Sequence, residues 1–189
     1  DLLNRSSAKV GVVYTGCQAI DRATGKFLGK RTPSKSGDLS IDMLSSNCIG
    51  STSSTLVKRM CFEEVGVFDE TLPSFQHYDL WIRLAAKFHV ECVSLALLKY
   101  YTHENKIWTN PEAIKKGIAL MLEKHGTSKN ELPKYFSHHL IGVGELYCRG
   151  GDFRQGRQAY RDAITLYPYA IQYYLHLAFS FVGPASWRR

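Results

Sequence analysis

Long apolar runs are missing from this chain of 189 residues. One of the longest, Val90 to Leu98, is broken by Glu91 and Ser94 and falls well short of the roughly 20 residues that cross a bilayer. Neither a membrane-spanning helix nor a secretory signal peptide is therefore predicted, and we expect a cytoplasmic protein. Attachment to the inner face of a membrane, as a peripheral contact, stays open.

Closely spaced cysteines are missing as well. The five cysteines lie at positions 17, 48, 61, 92 and 148, and no two of them form a C-x-x-C pair or a zinc-ligand spacing. A zinc site is therefore not predicted. We interpret the cysteines as reduced thiols, as is usual in a cytosolic protein.

Composition places the chain among globular proteins with a basic surface. Hydrophobic residues make up 44% and charged residues 22%, as in an ordinary folded domain and unlike a disordered segment. The net charge is +7, with basic clusters at Lys26 to Lys35 and at Arg149 to Arg161. This balance suits an anionic partner such as a diphosphate or lipid headgroups, although a solvated basic surface is the simpler explanation. We expect no nucleic-acid partner.

The first hundred residues alternate predicted strands and helices. Val10 to Ile20 is a predicted strand, and the turn at Asp21 to Gly25 followed by Lys26 to Gly29 indicates a hairpin. The next predicted elements are a loop at Thr32 to Asp38, a short helix at Ile41 to Leu44, a strand at Ser51 to Leu56, a helix at Val57 to Val65 with Gly66 as its C-cap, a helix at about Tyr78 to Lys87 and a strand at Val90 to Leu98. Leu80 and Leu84 share the predicted apolar face of the helix that begins at about Tyr78.

Beyond Asn110 the pattern is helical, without a strand signal. Helices are predicted at Ala113 to His125 and at Leu132 to Cys148. The stretch from Gly150 to Pro168, with a Gly-Asp-Phe turn, a helix and a closing proline, resembles a tetratricopeptide-type helix pair. Because roughly three or more such pairs normally make a stable array, one pair predicts a helical appendage. For Tyr173 to Val182, which is apolar almost all round, burial in the fold is expected, with docking on further sequence or on a membrane interface as alternatives.

The most informative feature is a loop followed by a helix. A Gly-bounded turn ending in Phe-Asp-Glu, at Val65 to Glu70, precedes the sequence Gln-His-Tyr-Asp-Leu-Trp-Ile-Arg at Gln76 to Arg83. These residues resemble the acceptor side of family 2 glycosyltransferases of the GT-A type, in which Glu-Asp or Gln-Asp precedes an aromatic residue and Asp-Leu-Trp-Leu-Arg. Gln76 and the stretch Asp79 to Arg83 match that motif, and His77 stands where the catalytic aspartate is expected.

The resemblance implies a fold and a division of the chain. Residues 1–108 are expected to form the C-terminal half of a GT-A, Rossmann-like transferase domain of the α/β class, and residues 109–189 an α-helical extension. In the family, an upstream half holds the sugar donor and its divalent metal, manganese or magnesium, through an Asp-x-Asp motif. No Asp-x-Asp occurs in this chain, so we expect a fragment that does not transfer sugar alone.

The reaction that the resemblance implies is the inverting transfer of a sugar from a nucleotide-diphosphate donor to a glycan or lipid-linked acceptor, in polysaccharide biosynthesis for the cell envelope. Such a transfer needs a base that removes the proton of the acceptor hydroxyl. His77 is the predicted base, because a neutral imidazole, with a pKa of about 6.5, accepts a proton at neutral pH. Asp79 is the second candidate, although the matching family position points into the helix. Loss of activity is the other interpretation of His77.

Further site residues follow from the same resemblance. Gln76, Trp81 and Arg83 are expected at the acceptor. Ser53 and Ser54 are expected beside the cleft, although a row of small hydroxyl residues is equally often plain surface.

A histidine after the last predicted strand is the expected metal ligand. The stretch Lys99 to His103 resembles the family's ending Tyr-Arg-x-His, in which the histidine contacts the metal or the diphosphate. Imidazole is a common ligand of manganese-like ions. The usual arginine is replaced by Thr102 or displaced to Lys99, and an ordinary surface histidine is the alternative.

A second class of function also fits the sequence. The histidine at the base position and the helical region favour a non-catalytic helical interaction module that carries a degenerate transferase domain. This alternative predicts a partner-binding surface around Tyr147 to Tyr174 and no sugar cleft.

Overall fold

A computed structural model describes residue 7 and residues 9–102, 110–126 and 131–182, and it has a mixed α/β fold. The chain forms two compact units. One consists of Asp1–Thr71 and Gln76–Lys106, and we call it the strand unit. The other consists of Leu72–Phe75 and Ile107–Arg189, and we call it the helical unit.

The strand unit contains a four-stranded sheet and three helices among its described residues. Its elements are strand β1 (Val10–Asp21), strand β2 (Phe27–Arg31), helix α1 (Ser40–Ser45), a 3₁₀ turn (Thr52–Ser54), strand β3 (Thr55–Val57), helix α2 (Arg59–Val65), helix α3 (Gln76–Ala85) and strand β4 (His89–Thr102). Strand β1 is central, since it pairs antiparallel with β2 and β3 and parallel with β4. The sheet is therefore mixed.

The core of the strand unit forms where β1 is apolar and small. Val12 and Val13 are buried, as the continuous apolar run predicts for a central strand. Gly11 lets other elements approach closely, because a Cβ atom there would lie 2.6 Å from Cys61 Sγ and 2.8 Å from Phe88 Cβ. The predicted hairpin is confirmed, with Gly25 at a φ of 70° in its turn.

The row of hydroxyl residues from Ser51 to Thr55, which we call the serine row, differs from its prediction. We expected a strand at Ser51 to Leu56, but the chain forms a 3₁₀ turn before β3 begins at Thr55. The cause is local, since Ser51 Oγ accepts a hydrogen bond from the Ser53 amide at 3.2 Å. The hydroxyls of Ser54 and Thr55 donate to the Ser51 carbonyl at 2.9 Å. Hydroxyl residues that bond their own backbone in this way compete with strand pairing.

Other boundaries also differ from the prediction. The helix predicted at Val57 to Val65 begins at Arg59, because Val57 ends β3 and pairs with Val12. Helix α3 begins at Gln76, two residues before the predicted start, and β4 continues to Thr102, four residues past the predicted end. The extension of β4 follows from its parallel pairing with β1, which runs to the pair Asp21 and Thr102. A pairing between residues so far apart in sequence leaves no local signal.

The helical unit contains helices α4 (Pro111–His125), α5 (Leu132–Arg149), α6 (Phe153–Leu166) and α7 (Ile171–Phe179). The first begins at Pro111, two residues before Ala113, where a proline suits the first turn, and the Asn110 side chain accepts from the amides of Glu112 and Ala113. The resemblance of α5 and α6 to a tetratricopeptide-type pair stays a prediction.

Glycines set the close packing of α5 against α6. A Cβ atom at Gly144 would lie 2.2 Å from the Tyr160 ring, and one at Gly156 would lie 2.4 Å from Cys148 Sγ. On the next helix, Tyr173 is buried, and its hydroxyl lies 2.9 Å from Ser137 Oγ. These contacts join three successive helices into one core.

The outer face of α7 is exposed in the described part of the chain. Ile171, Leu175 and Phe179 recur every four residues and are 75%, 53% and 57% exposed. Within the predicted segment from Tyr173 to Val182, burial is confined to Tyr173 and Ser180. None of the described helices combines the length and the apolar character that crossing a bilayer requires.

Candidate functional site

The start of α3 carries the predicted base. Gln76 is the first residue of the helix and His77 the second, and both side chains are half-buried. Burial lowers the pKa of His77 below its usual value of 6.5. The imidazole is therefore neutral at pH 7 and has a lone pair that can accept a proton.

Tyr78 connects the first turn of α3 to helix α1. Its side chain is fully buried, and its hydroxyl donates to the Met43 carbonyl at 2.5 Å. Sequence reasoning treated this residue only as part of the motif. The sequence signal for this contact was a tyrosine between a polar helix start and an apolar face, because a buried phenol needs a hydrogen-bond partner.

Trp81 ties α3 to the loop that precedes the serine row. Its indole N–H donates to the Gly50 carbonyl at 3.0 Å, and the side chain is only 2% exposed. The ring therefore packs in the core of the strand unit. This geometry gives Trp81 a role in holding the loop before Ser51, and it offers no exposed ring face for stacking on a sugar.

Arg31 holds the same loop from β2. Its guanidinium donates to the carbonyls of Cys48 and Ile49, and a Cβ atom at Gly50 would lie 2.0 Å from its Nη1 atom. Arg31 belongs to the basic cluster that suggested an anionic partner, and Lys35 of that cluster pairs with Asp42. At least these two cations are therefore engaged within the strand unit.

Asp79 and Arg83 form a buried ion pair on α3. Asp79 is 0% exposed, and its Oδ2 atom accepts from Nε and Nη2 of Arg83 at 2.9 and 2.8 Å. The same guanidinium donates to the carbonyls of Val65 and Val67 at 2.5 and 2.8 Å. These residues flank Gly66, whose φ of 79° turns the chain out of α2.

This network gives Asp79 and Arg83 a structural role. The Asp79 carboxylate is shielded from solvent and neutralises Arg83, which in turn fixes the turn after α2. An arginine can do this because its planar guanidinium donates several hydrogen bonds in fixed directions. A substrate hydroxyl has no access to a fully buried carboxylate, so the geometry favours His77 over Asp79 as the base.

Ser53 and Ser54 differ from each other in their surroundings. Ser53 is exposed, and Ser54 is half-buried with its hydroxyl bonded to the Ser51 carbonyl. Ser53 is thus the more accessible of the two for a ligand hydroxyl. The hydrogen bond from Trp81 to the Gly50 carbonyl connects α3 to the residue that precedes this row.

The predicted metal ligand, His103, lies outside the described residues. Within residues 9–102, 110–126 and 131–182, no group of three or more His, Cys, Asp or Glu side chains is placed to hold a metal ion. A hard divalent cation takes several oxygen ligands, so the described donor set does not fit one.

Comparison with known proteins gives one relationship. No protein-family model matches the chain. Over 115 residues, or 56% of its length, the chain is 31% identical to a protein of Rickettsia bellii (strain RML369-C) described as an uncharacterized glycosyltransferase. This similarity supports a relationship to glycosyltransferases. The matched region makes up 16% of that relative's length.

Helix α3 is bonded to three other segments of the strand unit. It binds the Met43 carbonyl through Tyr78, the Gly50 carbonyl through Trp81 and the turn at Gly66 through Arg83. Rigid support of this kind is what a proton-transfer site needs, because a base acts only when its position is fixed.

Proposed function

We propose that this chain forms the acceptor side of an inverting, family 2 glycosyltransferase of the GT-A type. It would transfer a sugar from a nucleotide-diphosphate donor to a glycan or lipid-linked acceptor in cell-envelope polysaccharide biosynthesis. The similarity to a protein described as a glycosyltransferase supports the general class. The inverting mechanism and the family rest on the motif from Gln76 to Arg83.

One observation carries the assignment of the base. A half-buried imidazole, neutral at pH 7, is the second residue of a helix that hydrogen bonds from the side chains of Tyr78, Trp81 and Arg83 hold in place. In the proposed reaction, His77 takes the proton of the acceptor hydroxyl as that oxygen attacks the anomeric carbon. The bond from that carbon to the nucleotide diphosphate breaks, and the diphosphate leaves with the electron pair.

The neighbouring residues have supporting roles in this proposal. Gln76 and Ser53 are the side chains that we assign to the acceptor, because both are accessible. Trp81 and Arg83 act on the site through the loops that they hold, and Asp79 acts through Arg83.

The metal and the location belong to the same proposal. A divalent cation, manganese or magnesium, would neutralise the leaving diphosphate, and His103 is its one proposed ligand in this chain. The cytoplasmic face of a membrane is the proposed location. The five cysteines are free thiols in the structure, which fits a reducing compartment.

The test measures nucleotide-diphosphate release by the natural full-length protein with manganese, a panel of sugar nucleotides and glycan acceptors. We compare the native protein with the variants His77→Asp and His77→Ala. Native release that falls at least about a hundredfold in His77→Ala supports His77 as the base, because general base catalysis contributes about that much. A carboxylate at a helix start is electrostatically favourable, so His77→Asp should fold.

His89→Asn is the matched control, since it removes a half-buried imidazole of the same unit that has no role in the proposal. If His77→Ala keeps full activity, the assignment of the base fails. Release only after His77→Asp identifies a degenerate transferase.

A non-catalytic interaction module is the second candidate function. The observation that favours it is the exposed apolar row on α7, formed by Ile171, Leu175 and Phe179. Absence of release from both the native protein and His77→Asp, across the panel, would favour this function over the transferase.

A further inference from the structure

Four residues between the two halves of the transferase motif belong to the helical unit. These residues, Leu72–Phe75, follow the Phe-Asp-Glu turn and directly precede α3, yet their contacts assign them to α4 and α5. Leu72 is buried, and Ser74 is only 8% exposed. We call Leu72–Phe75 the anchor segment.

Phe75 shows that the conformation of the anchor segment is imposed by its surroundings. Among the described residues it is the one non-glycine residue with a positive φ, 64°. A bulky side chain in this left-handed region is strained and persists only where neighbouring groups determine it. The neighbours are the rings of Phe136 and His139 on α5, with centroids 5.1 and 5.2 Å from that of Phe75 in edge-to-face geometry.

Ser74 provides a second, independent contact. Its hydroxyl donates to the Ala113 carbonyl in α4 at 3.0 Å, over a separation of 39 residues. One turn further along α4, a Cβ atom at Gly117 would lie 2.1 Å from Ser74 Oγ and 3.1 Å from Phe75 Cδ2. The helix thus has a glycine where the anchor segment approaches closely, although glycine weakens a helix interior.

We propose that helices α4 and α5 hold the anchor segment and so fix the backbone from which His77 enters α3, which makes Phe75 a positioning residue for the proposed base. The strained φ, the Ser74 hydrogen bond and the space at Gly117 all place the last residue before α3 in one conformation. His77 follows only two residues later. This inference rests on the proposed function and adds a role for the helical region in the transfer reaction.

The decisive variant is Gly117→Ala, compared with Gly142→Ala. The two changes are chemically identical and lie inside helices, but a Cβ atom at Gly142 would meet no heavy atom within 4 Å beyond its chain neighbours and the backbone of its own helix. In the natural full-length protein, we measure hydrogen exchange of peptides that cover residues 72–83 and the steady-state kinetics of nucleotide-diphosphate release. Circular dichroism shows whether each variant folds.

The expected result separates the two glycines. Gly117→Ala should raise exchange in the anchor segment and the first turns of α3 by about tenfold or more. It should lower kcat by about tenfold to a hundredfold with an unchanged KM for the donor, since a small displacement of a base costs that much. Gly142→Ala should leave both quantities at the native level. Ser74→Ala added to Gly117→Ala should restore part of kcat, because it removes the atom closest to the new methyl group.

Two results would overturn the inference: unchanged exchange in Gly117→Ala, or raised exchange with an unchanged kcat. If Gly117→Ala does not fold, Ser74→Ala alone, which removes only the hydrogen bond to Ala113, replaces it and should show the same pattern at smaller amplitude. If the native protein releases no nucleotide diphosphate, the proposed function fails. The exchange data then still decide whether α4 and α5 hold the anchor segment.

Discussion

The strand unit and the helical unit are each stabilised internally by a different kind of contact. In the strand unit, a few polar side chains donate to backbone carbonyls of other helices and of loops, as Arg31, Tyr78, Trp81 and Arg83 do. Arg31 and Trp81 hold residues 47–50, and Arg83 holds the turn at Gly66. The positions of the site residues therefore depend on a few polar side chains.

The helical unit relies on packing between helices. Gly144 and Gly156 admit the Tyr160 ring and Cys148, and the rings of Phe75, Phe136 and His139 contact one another. Such contacts are spread over many atoms, each of which contributes little. Substitution of one polar atom should therefore cost less stability in the helical unit than in the strand unit.

The largest expected effect concerns the buried ion pair of the strand unit. Asp79→Asn keeps the size of the side chain but leaves the Arg83 guanidinium without its counter-charge. Removing one partner of a buried ion pair typically costs about 3–5 kcal/mol. We expect a loss of that size in the free energy of unfolding, measured by equilibrium unfolding in urea.

The matched control is an exposed ion pair in the same unit. Lys87 Nζ lies 2.9 Å from Glu64 Oε1, and each side chain is 49% exposed. Lys87→Gln should cost less than about 1 kcal/mol, because solvent screens an exposed pair. Equal losses for Asp79→Asn and Lys87→Gln would contradict the importance that we give to the Arg83 network.

Sequence periodicity predicted most elements of both units, because the signals are local. The starts of β1 and α5 and the end of α2 at Gly66 followed from apolar spacing and from the C-cap. The serine row was wrong in part, because Ser51 caps a 3₁₀ turn with its own side chain. The competition between a hydroxyl and the strand backbone leaves no periodic signal.

The sequence predicted where the candidate site lies, but not which long-range contacts support it. The motif located His77 at a helix start, which the structure has. Arg83 reaches carbonyls 16 to 18 residues away, and Ser74 reaches one 39 residues away. No local pattern encodes such partners. Gly117 was the readable signal of the second contact, since a glycine in the middle of a helix indicates close approach.

An intermediate effect should appear in the helical unit at low pH. Burial, with a smaller contribution from His138, lowers the pKa of His139 to about 4 from an ordinary value of 6.5. Between these two values the unfolded chain takes up a proton that the folded chain does not. The stability that His139 contributes is therefore complete above pH 6.5 and is lost as the pH falls to about 4, by up to roughly 3 kcal/mol.

The variant His139→Phe tests this assignment. It keeps an aromatic ring against Phe75 and Phe136 and removes the titrating group. Urea unfolding at pH 7 and at pH 4.5 should show a smaller loss of stability on acidification in the variant than in the native chain. The same loss in both would mean that other groups cause the acid sensitivity.

The smallest expected effect concerns a buried hydrogen bond between helices. Ser137 Oγ donates to the Lys134 carbonyl at 2.7 Å, so the Tyr173 hydroxyl, 2.9 Å away, is the donor in their contact. Tyr173→Phe keeps the ring packing and removes this one bond, which should cost about 1 kcal/mol in urea unfolding. Tyr174→Phe removes an exposed bond to the Pro168 carbonyl and should cost less than about 0.5 kcal/mol. A loss for Tyr173→Phe as large as that for Asp79→Asn would remove the contrast between the two units, because one polar atom would then matter equally in both.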